Sequence, residues 1–309
     1  MNETSDYFFI CNPASNSGRM KKQWPGIEEV INQHFPDQPL NYQFTEYPGH
    51  AVEIVQDVLD NGYHNIVTIG GDGTTNEVLN GLMKLDKSKD VNIGILPSGT
   101  SNDSCLTHNL GKTVHEAIKH VVDPKIKTFP VGKISGDFGE EPYYFLDHAD
   151  TGLGAMSAQS ALNGSRLLKG EFKYTVYAMK HIIGFKGNPG TVTVDETSYD
   201  GKFAVAAIGL GETMGGYQLW PGNSPLNSEF GIILVRDIKK FKLLRVMLSA
   251  EKGHHISKPE VDYIHGKTIK IDLDKPWPFQ AEGEIFTGSS TSISMEYIPD
   301  QVNLMTNVQ

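Results

Sequence analysis

The sequence predicts an α/β protein of two domains: a parallel sheet covered by helices, then a mostly antiparallel β domain. Three observations lead there. Short apolar runs alternate with amphipathic segments through the first third, the rhythm of a parallel sheet with crossover helices. After about residue 129 that rhythm gives way to short β candidates separated by turns. A length of 309 residues suits two ordinary domains better than one large one. The expected bounds are 1–129 and 130–296.

In chain order, residues 7–11 are β-rich and end in Asn12-Pro13. Residues 18–35 carry Met20, Ile27, Val30 and Ile31 at roughly helical spacing, with Pro25 as an expected irregularity. Residues 40–44 read as a strand, 49–59 as a helix and 65–69 as a strand. A helix over 75–85 has Val78, Leu79, Leu82 and Met83 on one face, and 91–96 is another strand. Ligands of such sheets bind beyond the carboxyl ends of the strands. In the second domain, 131–134, 143–146, 191–194, 203–208, 231–235 and 268–272 are strand candidates. A helical stretch over 162–183 and a shorter one over 239–251 interrupt them. The chain shows no internal repeat and no low-complexity linker.

Charged residues make up 21% and hydrophobic residues 39%, an ordinary globular balance. A net charge of -10 argues against non-specific nucleic-acid binding, which draws its affinity from Lys and Arg on phosphates. Cys11 and Cys105 are the only cysteines, giving neither a disulfide framework nor a CxxC site. A reducing cytoplasm is the simplest expectation. Residues 1–6 are acidic and polar, unlike a signal peptide. No apolar run approaches the roughly 18 residues of a transmembrane helix, so any membrane contact is expected to be peripheral.

The most informative segment runs Ile69-Gly70-Gly71-Asp72-Gly73-Thr74-Thr75-Asn76-Glu77. It follows a strand and opens a helix, where glycines allow close approach to a phosphate and the helix start supplies N–H donors. Asp72 is odd for plain anion binding, because a carboxylate beside phosphates needs a metal ion or a proton. The plainer reading is a strand-to-helix turn that requires glycine. A second glycine turn, Gly94-Ile95-Leu96-Pro97-Ser98-Gly99-Thr100-Ser101-Asn102-Asp103, nearly spells a Walker P-loop. Thr100 stands where that motif needs Lys, so the P-loop reading fails. Two such loops after neighbouring strands would make one polyanion cradle.

Together these segments resemble the catalytic domain of the diacylglycerol-kinase and sphingosine-kinase superfamily, especially its bacterial lipid kinases. The resemblance spans nearly the whole chain. Ile10-Cys11-Asn12-Pro13 followed by Gly18 is similar to the opening nucleotide loop, and Thr45 with Pro48-Gly49-His50-Ala51 to the second segment. Gly70-Gly71-Asp72-Gly73-Thr74, then Asn76-Glu77-Val78, is the family hallmark. Leu96-Pro97, Gly99-Thr100 and Asn102-Asp103 are close to its PxGTxND turn. Lys169-Gly170 and Tyr174, Gly215-Gly216 and Pro221, and Glu282-Gly283-Glu284 match later segments. NAD kinases share the GGDGT element and phosphofructokinases a related loop. The Asn76-Glu77 continuation and the Gly99–Asp103 turn favour the lipid branch.

The resemblance implies a Rossmann-like nucleotide domain, a β-sandwich domain and an active site in the cleft between them, with residues 297–309 returning to the first domain. It implies ATP contacts at Asn12, Pro13, Ala14, Ser15, Asn16, Thr45, Gly71, Asp72, Gly73, Thr74, Thr75, Asn76, Glu77 and Thr100. Glu284 would be the base toward a lipid hydroxyl. Glu282, in the same triplet, joins it and Asp72 as catalytic candidates. Asp72 would help hold Mg²⁺ and the transferring phosphoryl group. A structural Mg²⁺ would lie near Ser224, Asn227 and Glu229.

Two departures stand out. The triplet usually begins with Asp, and here it begins with Glu282. After Pro221 the family's Asp-Gly pair falls on Asn227-Ser228, and an amide offers Mg²⁺ an oxygen without charge. That metal site is therefore expected to be degenerate. Asp147-His148 also sits where an Asn is usual.

Other features have plainer readings. Gly209-Leu210-Gly211 with Gly215-Gly216 has the wrong spacing for a dinucleotide fingerprint and reads as a glycine-rich loop. His254-His255 lacks a third ligand at metal-site spacing and reads as surface or packing. Lys239, Lys240, Lys242 and Arg245 with Phe241, Leu243 and Leu244 fit either a membrane-facing helix or a solvated face packed on the β domain.

The expected function is an ATP-dependent kinase acting on a lipid hydroxyl such as that of diacylglycerol, visiting the membrane from the cytoplasm. The alternatives are an NAD kinase and a nucleotide-binding regulator that has lost catalysis. Which lipid is used is not legible, and neither is oligomeric state; a homodimer is compatible with the sequence.

Overall fold

The apolar runs of the N-terminal third pair as parallel strands in the computed structural model, which describes residues 6–164, 171–286 and 290–306. The chain divides into two units, Met1–Pro130 with Pro299–Gln309 and Val131–Ile298.

The first unit contains β1 (Tyr7–Cys11), α1 (Ser15–His34), β2 (Asn41–Phe44), α2 (His50–Asp60), β3 (Asn65–Gly70), α3 (Asp72–Lys84), β4 (Asn92–Pro97), α4 (Asp103–Thr107), α5 (Val114–Val122) and the start of β5 (Lys125–Gly136). The strand order is 2-1-3-4, all parallel. Near the chain end, Asn303 pairs with Asn92 and Leu304 with Ile93, adding a further parallel strand beside β4. The winding reverses between β1 and β3. At such a switch point the loops leaving adjacent strands diverge and open a crevice.

Phe9, Cys11, Val67, Ile69 and Leu96 bury one face of the sheet against Met20, Trp24, Ile27, Val30 and Ile31 of α1, with Ile118 and Val121 of α5 beside them. The three- and four-residue spacing on α1 sets that packing. Pro25 does not break α1. It lies on the exposed side, and the departure from helical geometry falls instead at Asn16, Ser17 and Gly18.

The second unit continues with β6 (Gly139–Phe145), β7 (His148–Gly152), α6 (Leu153–Asn163), α7 (Glu171–Gly184), β8 (Asn188–Val194), β9 (Thr197–Gly209), β10 (Phe230–Arg236), α8 (Lys240–Ala250), β11 (Val261–Gly266), β12 (Thr268–Trp277), β13 (Phe279–Ala281), β14 (Glu284–Ile285) and β15 (Ser290–Thr306). Strands β7, β8, β9, β10, β11 and β12 pair antiparallel with their neighbours. Two cores result. Phe230, Ile232 and Leu234 of β10 join Phe145, Phe203, Ile271 and Phe279 in one. Ile233 and Val235 point the other way, onto Ile182 of α7 and Leu243 and Val246 of α8. Burial on both faces explains why β10 reads as an unbroken apolar run.

Several elements differ from the sequence expectation. The helical stretch expected over 162–183 is two helices, α6 and α7, and α6 begins nine residues earlier, at Leu153. Helix α3 begins at Asp72 rather than 75, so Asp72, Gly73 and Thr74 of the GGDGT segment lie in its first turn. Helix α5 carries a reciprocal capping box between Thr113 and Glu116, a T-x-x-E signal legible in the sequence. Strand β7, His-Ala-Asp-Thr-Gly, has little β propensity of its own and forms because β9 and β13 pair with it on either side. Lys169-Gly170 lies outside the described residues. Among the described residues, no helix is long and apolar enough to cross a membrane.

Candidate active site

The first unit's candidate site is built on two glycine turns that touch. A Cβ on Gly99 would stand 2.4 Å from the Cα of Gly71, and one on Gly70 would stand 2.4 Å from Oγ1 of Thr74. Real side chains do not tolerate such distances, so the turn after β3 and the turn after β4 can pass each other only as glycine backbone. The Ser98 amide donates to the Gly70 carbonyl at 2.7 Å and carries the strand pairing up to this crossing. Gly71 is the N-cap of α3 and supplies no side-chain cap. The helix start therefore presents the backbone donors and dipole that suit a phosphate.

Asn12 ties the turn after β1 to this crossing. Its Nδ2 donates to Thr74 Oγ1 at 3.0 Å, and its Oδ1 accepts the Ala14 amide at 3.0 Å. Asn16, Ser17 and Gly18 then take left-handed conformations, with φ of 53°, 57° and 78°. Two consecutive non-glycine residues in that region are strained, and such strain clusters at ligand-binding turns. Pro13 and Ser15 are half-buried beside this turn, and Ala14 is exposed.

The acidic residues of the hallmark make structural contacts. Asp72 accepts the Asp103 amide at 3.1 Å and the Ser104 amide at 2.9 Å, capping α4. Glu77 accepts the amides of Gly49 at 2.9 Å and Ala51 at 3.2 Å, capping α2. Thr75 is buried with its hydroxyl 2.9 Å from that of Thr68, and the buried Asn76 offers its carbonyl to Asn80. Thr45 is buried and extends the β1–β2 pairing through its amide to Cys11. Gly73 is half-buried and Thr100 exposed. The structure thus brings Asn12, Gly71, Asp72 and Thr74 together at the switch point. Thr75 and Asn76 are buried on α3 just beyond it, and Glu77 caps α2.

Sequence reasoning missed the groove beside this turn. It has a volume of about 780 Å³ and is bounded by Asn16, Lys22, Ser98, Gly99, Asn102 and Lys112. Asn16 and the Gly99 turn were legible, whereas the lysines come from α1 and from the loop before α5. Asn102 accepts the Gly99 amide at 2.8 Å and holds that turn closed.

The second unit places Glu282 and Glu284 on one tight hairpin. Glu282 and Gly283 form the two-residue turn between β13 and β14, both with positive φ, as the twist of paired strands favours. Glu282 is buried. Its Oε1 accepts the amides of Leu146 at 2.8 Å and Asp147 at 2.6 Å, while its own amide donates to the His148 carbonyl. It anchors the hairpin to the corner between β6 and β7. Glu284, two residues on, is exposed at the start of β14.

Behind the hairpin lies a polar chain that sequence reasoning missed. The Gly283 amide donates to Gln280 Oε1 at 2.7 Å, Gln280 Nε2 donates to Asp150 Oδ1, and Asp150 Oδ2 accepts the Ala155 amide at 2.9 Å. Desolvation pushes the fully buried Asp150 carboxyl up to about 6, against the opposing pulls of Gln280, His148 and the Ala155 amide. The folded state therefore holds this proton more tightly than the unfolded chain. Its contribution to stability is fully present below about pH 4 and is lost as pH rises through about 6, on the order of 3 kcal/mol in all. Asp150→Asn should flatten the fall in melting temperature over that window. An unchanged slope in the variant would show that other groups set it.

The expected metal loop fits Mg²⁺ poorly. Asn227 is exposed, donates from Nδ2 to Asn223 Oδ1 at 3.3 Å, and has its amide on the Ser224 carbonyl. The Ser224 hydroxyl accepts the Leu226 amide. Glu229 alone would bring a charge, whereas Mg²⁺ prefers several hard oxygens in near-octahedral array. Without nucleotide, millimolar Mg²⁺ should move the melting curve little, and Asn227→Asp should enlarge the shift. A large shift in the native chain, unchanged by Asn227→Ala, would place the ion elsewhere.

The remaining candidates have packing roles. His255 is buried with Nε2 3.0 Å from the Leu219 carbonyl, and burial lowers its pKa. Trp220 sits against Gly209, where a Cβ would be 2.5 Å from its ring, so that glycine serves packing.

Comparison with known proteins matches residues 6–134 to the family described as diacylglycerol kinase catalytic domain. Residues 148–306 match the YegS C-terminal NAD kinase beta sandwich-like domain. A Staphylococcus aureus (strain JH9) protein named as a candidate lipid kinase is 26% identical over 274 residues, 86% of each chain. A Staphylococcus aureus (strain N315) protein so named gives the same figures. A crystal structure from Bacillus anthracis str. Sterne, described as a candidate diacylglycerol kinase, superposes with a TM-score of 0.76 at 21% identity, covering 99% of both chains. A second, described as a diacylglycerol kinase from the same strain, gives a TM-score of 0.71 at 19% identity, covering 99% of this chain and 98% of that one. At those identities the structural likeness speaks to the fold.

Proposed function

We propose, from a chain whose residues 6–134 belong to the diacylglycerol kinase catalytic domain family and whose residues 148–306 belong to the YegS C-terminal NAD kinase beta sandwich-like family, that the protein transfers the γ-phosphoryl group of ATP to the hydroxyl of a lipid of the diacylglycerol class. The observation that carries the reading is the backbone crossing of Gly71 and Gly99 at the carboxyl ends of β3 and β4. A phosphate chain needs a surface of backbone donors without side chains, and the uncapped start of α3 supplies one.

In this reading Asn12, Asn16 and the turn from Gly71 to Thr74 hold the nucleotide, with Thr45 and Thr100 at its margin. Asp72 is the carboxylate suited to Mg²⁺. The amides of Asp103 and Ser104 fix the orientation of that carboxylate at the start of α3. Mg²⁺ bound with ATP would neutralise charge on the transferring group. Glu284 takes the proton from the lipid hydroxyl as its oxygen attacks the γ-phosphorus, and ADP leaves. Glu282 and Gln280 fix the turn from which Glu284 projects. Most of the rate then comes from positioning and charge, as phosphoryl transfer requires.

The test is a mass-spectrometric screen of products after incubation with ATP, Mg²⁺ and a lipid panel, with NAD as a parallel acceptor. A phosphorylated lipid is the expected product. Phosphate on NAD alone would favour the NAD kinase reading, to which the description of the second domain's family gives some support. ATP binding with no transfer to any acceptor would favour a regulator.

A further inference from the structure

Helices α7 and α8 each bury one edge and leave an apolar edge in solvent. On α8, Leu243, Val246 and Ala250 are buried, while Phe241 and Leu248 are 69% and 60% exposed. On α7, Ile182 is buried, while Met179 and Ile183 are 47% and 77% exposed. The two edges meet, because Lys240 Nζ at the start of α8 donates to the Ile183 carbonyl at 2.6 Å. Single exposed apolar residues are common, but four at one helix junction are not.

The charge around them is equally uneven. Residues 175–186 and 239–252 hold seven Lys and Arg side chains against Glu251 alone, in a chain of net charge -10. Arg245 lies over the Phe241 ring at 5.0 Å, placing a cation within the apolar patch. Lys242 is paired with Glu260, so it leaves the basic set that the sequence alone assembled.

We propose that the junction of α7 and α8 is a docking surface for an anionic lipid bilayer. Ile183, Phe241, Leu248 and Met179 enter the boundary between head groups and acyl chains. Lys180, Lys186, Lys239, Arg245 and Lys252 meet the negative head groups. An anionic membrane offers both an apolar interior and a continuous negative surface, matching the exposed apolar edge and its ring of cations. The proposal rests on the lipid-kinase reading for its purpose, since the acceptor resides in a bilayer, but not for its measurement.

Sedimentation with vesicles of phosphatidylcholine alone, or mixed with phosphatidylglycerol, tests it. The native chain should bind the anionic vesicles and be released above roughly 0.5 M salt. The double variant Ile183→Ser, Phe241→Ser should bind them about tenfold more weakly. Both changes are at exposed positions, and an unchanged melting temperature would verify the fold. Transfer to a water-soluble short-chain diacylglycerol should be unaffected, while transfer to acceptor in vesicles should fall. Equal binding to neutral and anionic vesicles, or native-like binding by the double variant, would overturn the proposal. So would sedimentation velocity showing a native dimer that the variant splits while vesicle binding persists, which would make the patch a self-interface. A chain that binds anionic vesicles but phosphorylates no lipid would retain the surface and sink the lipid-kinase reading instead.

Discussion

Glu284→Gln should abolish phosphoryl transfer, by roughly 10²–10⁴-fold or more, with little change in ATP affinity. The glutamine keeps the shape of the side chain and removes its ability to take a proton. Glu284 is exposed at the start of β14, so the change disturbs no core packing. The turn before it is held independently, by Glu282 on the amides of Leu146 and Asp147 and by Gln280 on the Gly283 amide. The nucleotide candidates all belong to the other unit of the chain. Single-turnover transfer measured beside equilibrium ATP binding separates the cases. A collapse of ATP binding in the folded variant would make Glu284 a nucleotide or metal residue.

Asp72→Asn should lower turnover by at least about 100-fold, the usual scale for losing one preorganised electrostatic group. The contacts of Asp72 add a second consequence. Both carboxylate oxygens accept α4 amides, at 3.1 Å and 2.9 Å. An amide can accept only one of them and turns its NH₂ toward the other. The loss should cost about 1–3 kcal/mol, visible as a lower denaturation midpoint. Kinetics must therefore be read well below the variant's melting temperature, with circular dichroism showing it folded. Near-native turnover under those conditions would remove Asp72 from the chemistry and leave it as a cap for α4.

The two effects have one cause. Asp72 shapes the second glycine turn by holding the start of α4, and the same carboxylate is the one expected beside the phosphates. In the proposed mechanism one carboxylate serves both fold and binding, so turnover of the variant is read beside its denaturation midpoint. The Gly283 turn is different: its anchoring falls to Glu282 and Gln280, and Glu284 is exposed.

The sequence by itself determined the β-α alternation of the first unit, because apolar period and glycine position are local signals. It also singled out the turns after β3 and β4, whose glycines touch in the fold. It did not reveal β7, whose residues have little strand propensity and are held by partners on both sides. Nor did it separate the acidic residues by role. Glu77, expected as a nucleotide contact, has a capping role on α2 that its motif did not signal. Glu282 looked like a sibling of Glu284 and is a buried anchor. Asp150, with its raised pKa, gave no local sign at all. A carboxylate's role is set by which backbone amides reach it. For Asp72 those amides are 31 and 32 residues away, and for Glu282 they are 136 and 135 residues away. Periodicity and spacing describe a residue's neighbours along the chain, and only the tertiary fold brings such distant donors within hydrogen-bonding distance.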